Sequence, residues 1–139
     1  MSTDFELAPV PPTGAIDDAT REQARMLGIG RAAVGGLMIL APATSMRVWL
    51  GEGRNSPGAR LATRALGARE VALGAGLMLA ADKGTPIRGW LEAGVLCDAA
   101  DTFLTLTSYK KLPRLGRTLV LLVAAGAAVN GARLAQRQG

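Results

Sequence analysis

Apolar positions gather along this chain in long blocks, at residues 25–41, 64–81, 90–108 and 118–130. Each block outruns an ordinary strand, and none keeps the strict two-residue alternation of a half-buried one. Turn-forming segments separate them, notably GEGRNSPG at 51–58 and DKGT at 82–85. The pattern predicts an all-α fold, a four-helix transmembrane bundle. Asp17 and Asp18 are suited to cap the first helix. It ends near Ala41, because Pro42 disfavours continuation. Ala43 to Leu50 then adds a short interfacial turn, with Arg47 and Trp49 at headgroup level. The second helix runs from Pro57 to Asp82, and the third opens at Pro86, a residue suited to a first helical position, and ends near Ser108. The fourth runs from Pro113 to about Gln136. Residues 1–16 are polar, acidic and rich in proline, which predicts a disordered or extended tail without the features of a signal peptide. The domain division is therefore a tail at 1–19 and a four-helix membrane domain at 20–139.

Two of the blocks are near-repeats. RMLGIGRAAVGGLMILA (25–41) aligns with RALGAREVALGAGLMLAA (64–81) at a shift of 39 positions. Arg25 falls on Arg64, Leu27 on Leu66, Gly28 on Gly67 and Gly35 on Gly74. Arg31 falls on Glu70, so opposite charges occupy matching places.

Composition sharpens the membrane reading. Hydrophobic residues make up 49% of the chain and mean hydropathy is +0.23, values that an apolar soluble domain would share. The 18 glycines favour the membrane reading over a soluble bundle, because many lie inside helix-length apolar blocks. Glycine costs a soluble helix about 1 kcal/mol relative to alanine. In membrane helices small residues let backbones approach closely. With no histidine and one cysteine, Cys97, the chain cannot build an imidazole-ligated metal or haem site, an intramolecular disulfide or a cysteine cluster. No cofactor is expected. The net charge of +5 comes from basic residues in short segments between apolar blocks. That arrangement suits lipid headgroups and not nucleic acid. In a four-span topology the loops after the first and third helices carry Arg47, Arg54, Arg60, Arg64, Lys110, Lys111, Arg114 and Arg117. The other side carries Arg21, Arg25, Lys83, Arg88, Arg133 and Arg137. The richer side is expected in the cytoplasm, with both termini outside.

The candidate chemistry lies at mid-helix. Arg31, Glu70 and Asp98 sit near the midpoints of the first three helices, so antiparallel neighbours bring them to one depth. Arg69 and Asp101 lie close by. Gly28, Arg31 and Gly35 share one helix face, as do Gly67, Glu70 and Gly74, and Gly94, Asp98, Asp101 and Thr105. Glycine faces are where helices touch, so these charges are expected to point into the bundle. An unpaired charge at the bilayer centre costs roughly 2.5–3.5 kcal/mol on insertion scales. Arg31, Arg69, Glu70, Asp98 and Asp101 therefore need one another. Two arginines face three carboxylates, leaving one carboxylate to be protonated, hydrated or matched by a cation. Such a network serves either to fix helix register or to bind a proton, an ion or a ligand. Glu92 is expected to pair with Arg88 nearer the helix end. Cys97 reads as a packing residue, and Thr102, Thr105 and Thr107 as hydrogen-bonding residues within or between helices. No catalytic constellation is visible.

The segments RALGAREVALG (64–74) and DAADTF (98–103) resemble a family of small multi-pass membrane proteins of high-GC Gram-positive bacteria. They are also distantly similar to the four-helix DoxX-type proteins, some of which accompany membrane oxidoreductases. The likeness covers residues 22–136. It implies a four-helix membrane fold and no particular activity, with Arg69, Glu70, Asp98 and Asp101 at the matching positions. The function expected is that of a multi-pass inner-membrane protein, an accessory subunit or scaffold. Its partners would be the lipid bilayer and other membrane subunits or further copies of itself. The alternative is a proton- or cation-coupled carrier or channel.

Overall fold

The structure, a computed structural model, describes residues 16–51, 56–108, 110 and 112–136. The expected tail over residues 1–15 lies outside them. The described residues form five helices and no strand: α1 Asp18–Leu40, α2 Pro42–Leu50, α3 Pro57–Asp82, α4 Arg88–Thr107 and α5 Arg114–Gln136. α1 begins inside the segment assigned to the tail. Asp17 caps it by accepting from the Thr20 amide at 2.9 Å and the Thr20 hydroxyl at 2.7 Å. Those bonds, the hydroxyl first, hold the Asp17 carboxyl below the usual carboxylate range. Ser56 caps α3 by accepting from the Ala59 amide at 3.2 Å, and Pro57 follows at the first position.

Two boundaries differ from the expected ones. Residues 42–50 form a complete helix and not a turn, giving five helices where four were expected. Pro42 ends α1, but its fixed φ also suits the first turn of a new helix. The chain bends there by 104°. α4 starts at Arg88, after Pro86. The preceding residues are spent on closing α3: the Thr85 amide and hydroxyl both donate to the Ala80 carbonyl, at 3.0 and 3.3 Å. Ile87 is fully buried, so the chain turns inward before the helix begins.

The four long helices have 23, 26, 20 and 23 residues. At 1.5 Å per residue they are about 30–39 Å long. α1 packs along α3 and α4 along α5, and α2 crosses the end of the bundle against α3 and α5. Glycines set the α1–α3 distance. A Cβ at Gly28 would lie 2.7 Å from the Gly74 carbonyl oxygen, and one at Gly67 would lie 2.6 Å from that of Gly35. Gly28 thus meets Gly74 and Gly35 meets Gly67, an antiparallel pairing. The repeat explains it. Its first glycine in one copy meets its second in the other, as about a local two-fold axis passing between Arg31 and Glu70. At the far end, Gly116 of α5 lets the Val48 and Trp49 carbonyls of α2 come close. Gly51, at φ 88°, ends α2 in a conformation that a side chain would oppose.

The interior is small. One apolar cluster joins Ala24 of α1, Leu77, Ala80 and Ala81 of α3, Ile87, Leu91 of α4 and Leu134 of α5. Met46 is buried at the α2 end. Large apolar side chains lie mostly outside, as with Leu40 at 86% and Leu96 at 72% exposure. α5 is long and apolar enough to cross a membrane, and its most apolar window is only 17% buried. α1 and α2 meet the same test only when taken together across their bend. By length and composition, then, the described residues hold one candidate span, or two.

Candidate functional site

The charges of the apolar blocks meet in one layer. On α1, residues 26–40 include a single charge, Arg31; on α3, residues 65–81 include Arg69 and Glu70; on α4, residues 93–107 include Asp98 and Asp101. Residues 118–132 of α5 have none. All five charged side chains join a single hydrogen-bonded chain. Arg31 grips Asp98 with both guanidinium ends, Nη2 to Oδ2 and Nη1 to Oδ1, the latter at 3.2 Å. Arg31 Nη1 also donates to Glu70 Oε2 at 2.7 Å. The other oxygen of Glu70 accepts from Arg69, at 2.9 Å from Nη2 and 3.2 Å from Nε. Arg69 reaches on to Asp101, at 2.6 Å from Nη2 to Oδ2 and 3.3 Å from Nη1 to Oδ1. The chain leaves α4 at Asp98, passes through α1 and α3, and returns to α4 at Asp101. Bidentate guanidinium–carboxylate pairs of this kind fix orientation as well as supplying energy.

Position along this chain governs access to water. Arg31, Glu70 and Asp98 are sealed, at 7, 9 and 4% exposure, whereas Arg69 and Asp101 are partly open. Glycines make room for the sealed half. A Cβ at Gly94 would stand 2.8 Å from Arg31 Nη2, so the guanidinium lies flat against the glycine face of α4. Backbone approach between α3 and α4 is sparse. The ionic layer, the Trp90 ring resting on Gly76 and the apolar cluster that holds Leu77 of α3 and Leu91 of α4 join those helices.

Sequence reasoning placed Arg31, Glu70 and Asp98 at one depth, these three and Asp101 on glycine faces, and Arg69 close by; in the structure the five side chains are hydrogen-bonded to one another. It did not show that Glu70 bridges both arginines, nor that α5 stands outside the network. Helical periodicity gives a face, but the pairing of individual oxygens depends on how neighbouring helices are rotated. Arg88 and Glu92 form the expected pair, 2.7 Å apart. Thr107 donates to the Leu104 carbonyl at 2.9 Å. Thr105 departs from expectation: its buried hydroxyl has no hydrogen-bond partner among the described residues. Cys97 is a free thiol, partly buried.

No protein-family model, curated protein or solved structure matches this chain. Among the described residues no group of three or more His, Cys, Asp or Glu side chains is placed to hold a metal ion. The layer offers carboxylates and guanidiniums already bound to one another. With all five charged, it carries one surplus negative charge. It can hold helices in register, and it can accept a proton or exchange an arginine partner for a cation.

Proposed function

We propose that this protein is a four-helix integral membrane protein, with α1, α3, α4 and α5 crossing the bilayer and α2 lying at one interface. It serves as an accessory subunit or self-associating scaffold of a membrane complex. The observation that carries this reading is the inverted distribution of polarity. Every charge within the apolar belt belongs to the internal ionic layer, while Leu37, Leu40, Leu79, Leu96, Phe103 and Leu122 face outward. Monomeric soluble proteins rarely expose a contiguous apolar surface of that kind. Hydropathy counted residue by residue debits α3 and α4 for charges that their neighbours neutralise. The belt of 15–17 residues per helix spans about 22–25 Å. Arginines at its margins extend their apolar stems towards the interface. Blue-native electrophoresis of mildly solubilised native membranes tests the role. The protein is expected in a discrete larger assembly, and a lone monomer in every mild detergent would sink the scaffold reading.

The surplus carboxylate favours a second reading, a proton- or cation-coupled carrier. On that reading, Asp98→Asn and Glu70→Gln alter pH-dependent flux into proteoliposomes by at least about ten-fold, the effect of losing a charge-assisted bond of about 1.5–3 kcal/mol. Flux equal to that of the unsubstituted protein excludes it.

A further inference from the structure

The two ends of the bundle carry different charge. Arg47, Arg60, Arg64, Lys110, Arg114 and Arg117 lie at the end crossed by α2, and among the described residues no carboxylate accompanies them. At the opposite end Arg21 pairs with Asp18, Arg25 with Asp82 and Arg88 with Glu92, at 3.0, 3.4 and 2.7 Å, and Lys83 and Arg133 share that end with the further carboxylates Asp17 and Glu22. Among the described residues, carboxylates thus stand beside the basic residues at one end and are absent from the other. Arg47, Arg60, Lys110 and Arg114 are exposed and form no ion pair among the described residues. Among the described residues Arg64 donates to the Ile39 carbonyl, at 3.3 Å, and forms no ion pair.

Like charges gathered at one end repel one another over about 8 Å at physiological salt. Their concentration there calls for an external anion. α2 gives that end its shape. It turns 104° away from α1 across the bundle, carrying Arg47 beside Trp49, whose indole Nε1 is buried without a partner among the described residues. A short helix lying across the bundle end, bearing arginine and tryptophan, matches the depth of lipid headgroups. A layer of phosphate diesters supplies a spread of negative charge that no single small anion provides.

We propose that the α2 end is a docking surface for anionic phospholipid headgroups, held by Arg47, Arg60, Lys110 and Arg114. This rests on the membrane reading and adds to it the leaflet: the α2 end sits in the leaflet richer in anionic lipid. The chain's two tryptophans report on the two ends, Trp49 on α2 and Trp90 at the start of α4. Trp90→Phe leaves Trp49 as sole reporter, and Trp49→Phe leaves Trp90. Each protein is reconstituted in bilayers containing brominated phosphatidylglycerol or brominated phosphatidylcholine, and tryptophan quenching is measured. Trp49 is expected to be quenched preferentially by the anionic lipid, and Trp90 by both alike. Arg47→Gln, Arg60→Gln and Arg114→Gln should each lower the Trp49 preference about five-fold, the equivalent of about 1 kcal/mol per basic residue at an anionic surface. Circular dichroism identifies any variant that fails to fold, and Arg60→Gln alone then serves as the reading. Equal quenching of Trp49 by the two lipids overturns the docking surface and leaves membrane insertion intact. Quenching of neither tryptophan by either lipid overturns both.

Discussion

Replacing Arg31 with methionine is expected to lower the unfolding free energy by about 3–5 kcal/mol, the usual consequence of removing one partner from a buried ion pair. Asp98 would lose both of its hydrogen bonds and Glu70 one of its three, at 4 and 9% exposure. Asp98 would then hold a sealed, unpaired charge or take up a proton. The pairing itself contributes little net stability, because desolvation of the ions offsets much of their attraction. Arg31→Met combined with Asp98→Leu should therefore recover most of the loss, since it removes the orphaned charge and fills the site with apolar volume. Arg31→Lys should fall between, because an ammonium cannot make the two-ended grip on Asp98 while also reaching Glu70. Arg69→Met should cost less than Arg31→Met, since Arg69 and Asp101 are partly open, at 30 and 21% side-chain exposure, and water can replace the lost partner. Reversible unfolding in mixed micelles, arranged as a double-mutant cycle, measures these differences. Additive losses at Arg31 and Asp98 would show that the two are not coupled.

How far this arrangement could be read from the sequence differs between its parts. Helix limits set by local chemistry were legible: Pro42 stops α1, Pro57 starts α3, and Asp17 caps α1 with its own side chain. The start of α4 was not legible, because Ile87 is drawn into the apolar cluster by contacts with residues far away in sequence. Nor was α2 as a helix, since a proline that ends one helix reads the same whether or not another begins. The common depth of Arg31, Glu70 and Asp98 followed from the 39-residue repeat and from antiparallel packing. The route of the hydrogen bonds did not follow, because Glu70 can bridge only when α1 and α3 are close enough for both arginines to reach it. That closeness belongs to the glycines. The unpartnered hydroxyl of Thr105 had no sequence signal either, for the residue reads like any other helical threonine.

Alanine at Gly35 is expected to destabilise the protein by about 1–3 kcal/mol, the range for overpacking a close contact, and leucine there by more. A Cβ at Gly35 would stand 2.8 Å from the Val71 amide nitrogen and closer still to the Gly67 carbonyl oxygen. Both are backbone atoms of a continuous helix, so neither can swing aside as a side chain end does. α1 and α3 must separate instead. The same holds at Gly74, where the new Cβ would lie 2.8 Å from the Ala32 nitrogen. Separation reaches the ionic layer directly, because Arg31 and Glu70 lie between the two glycine contacts and their bond is 2.7 Å long. A shift of about 1 Å takes it beyond hydrogen-bond reach. Gly30 and Gly36 provide the control on the same helix, since a Cβ at either meets nothing within 4 Å. Alanine there should leave stability unchanged or raise it by up to about 1 kcal/mol through helix propensity. Unfolding of the four alanine variants side by side decides the matter. If Gly30→Ala costs as much as Gly35→Ala, close backbone packing is not what positions the charges. If Gly35→Ala and Arg31→Met together cost no more than Arg31→Met alone, the glycine acts through the ionic layer, as its place beside that layer implies.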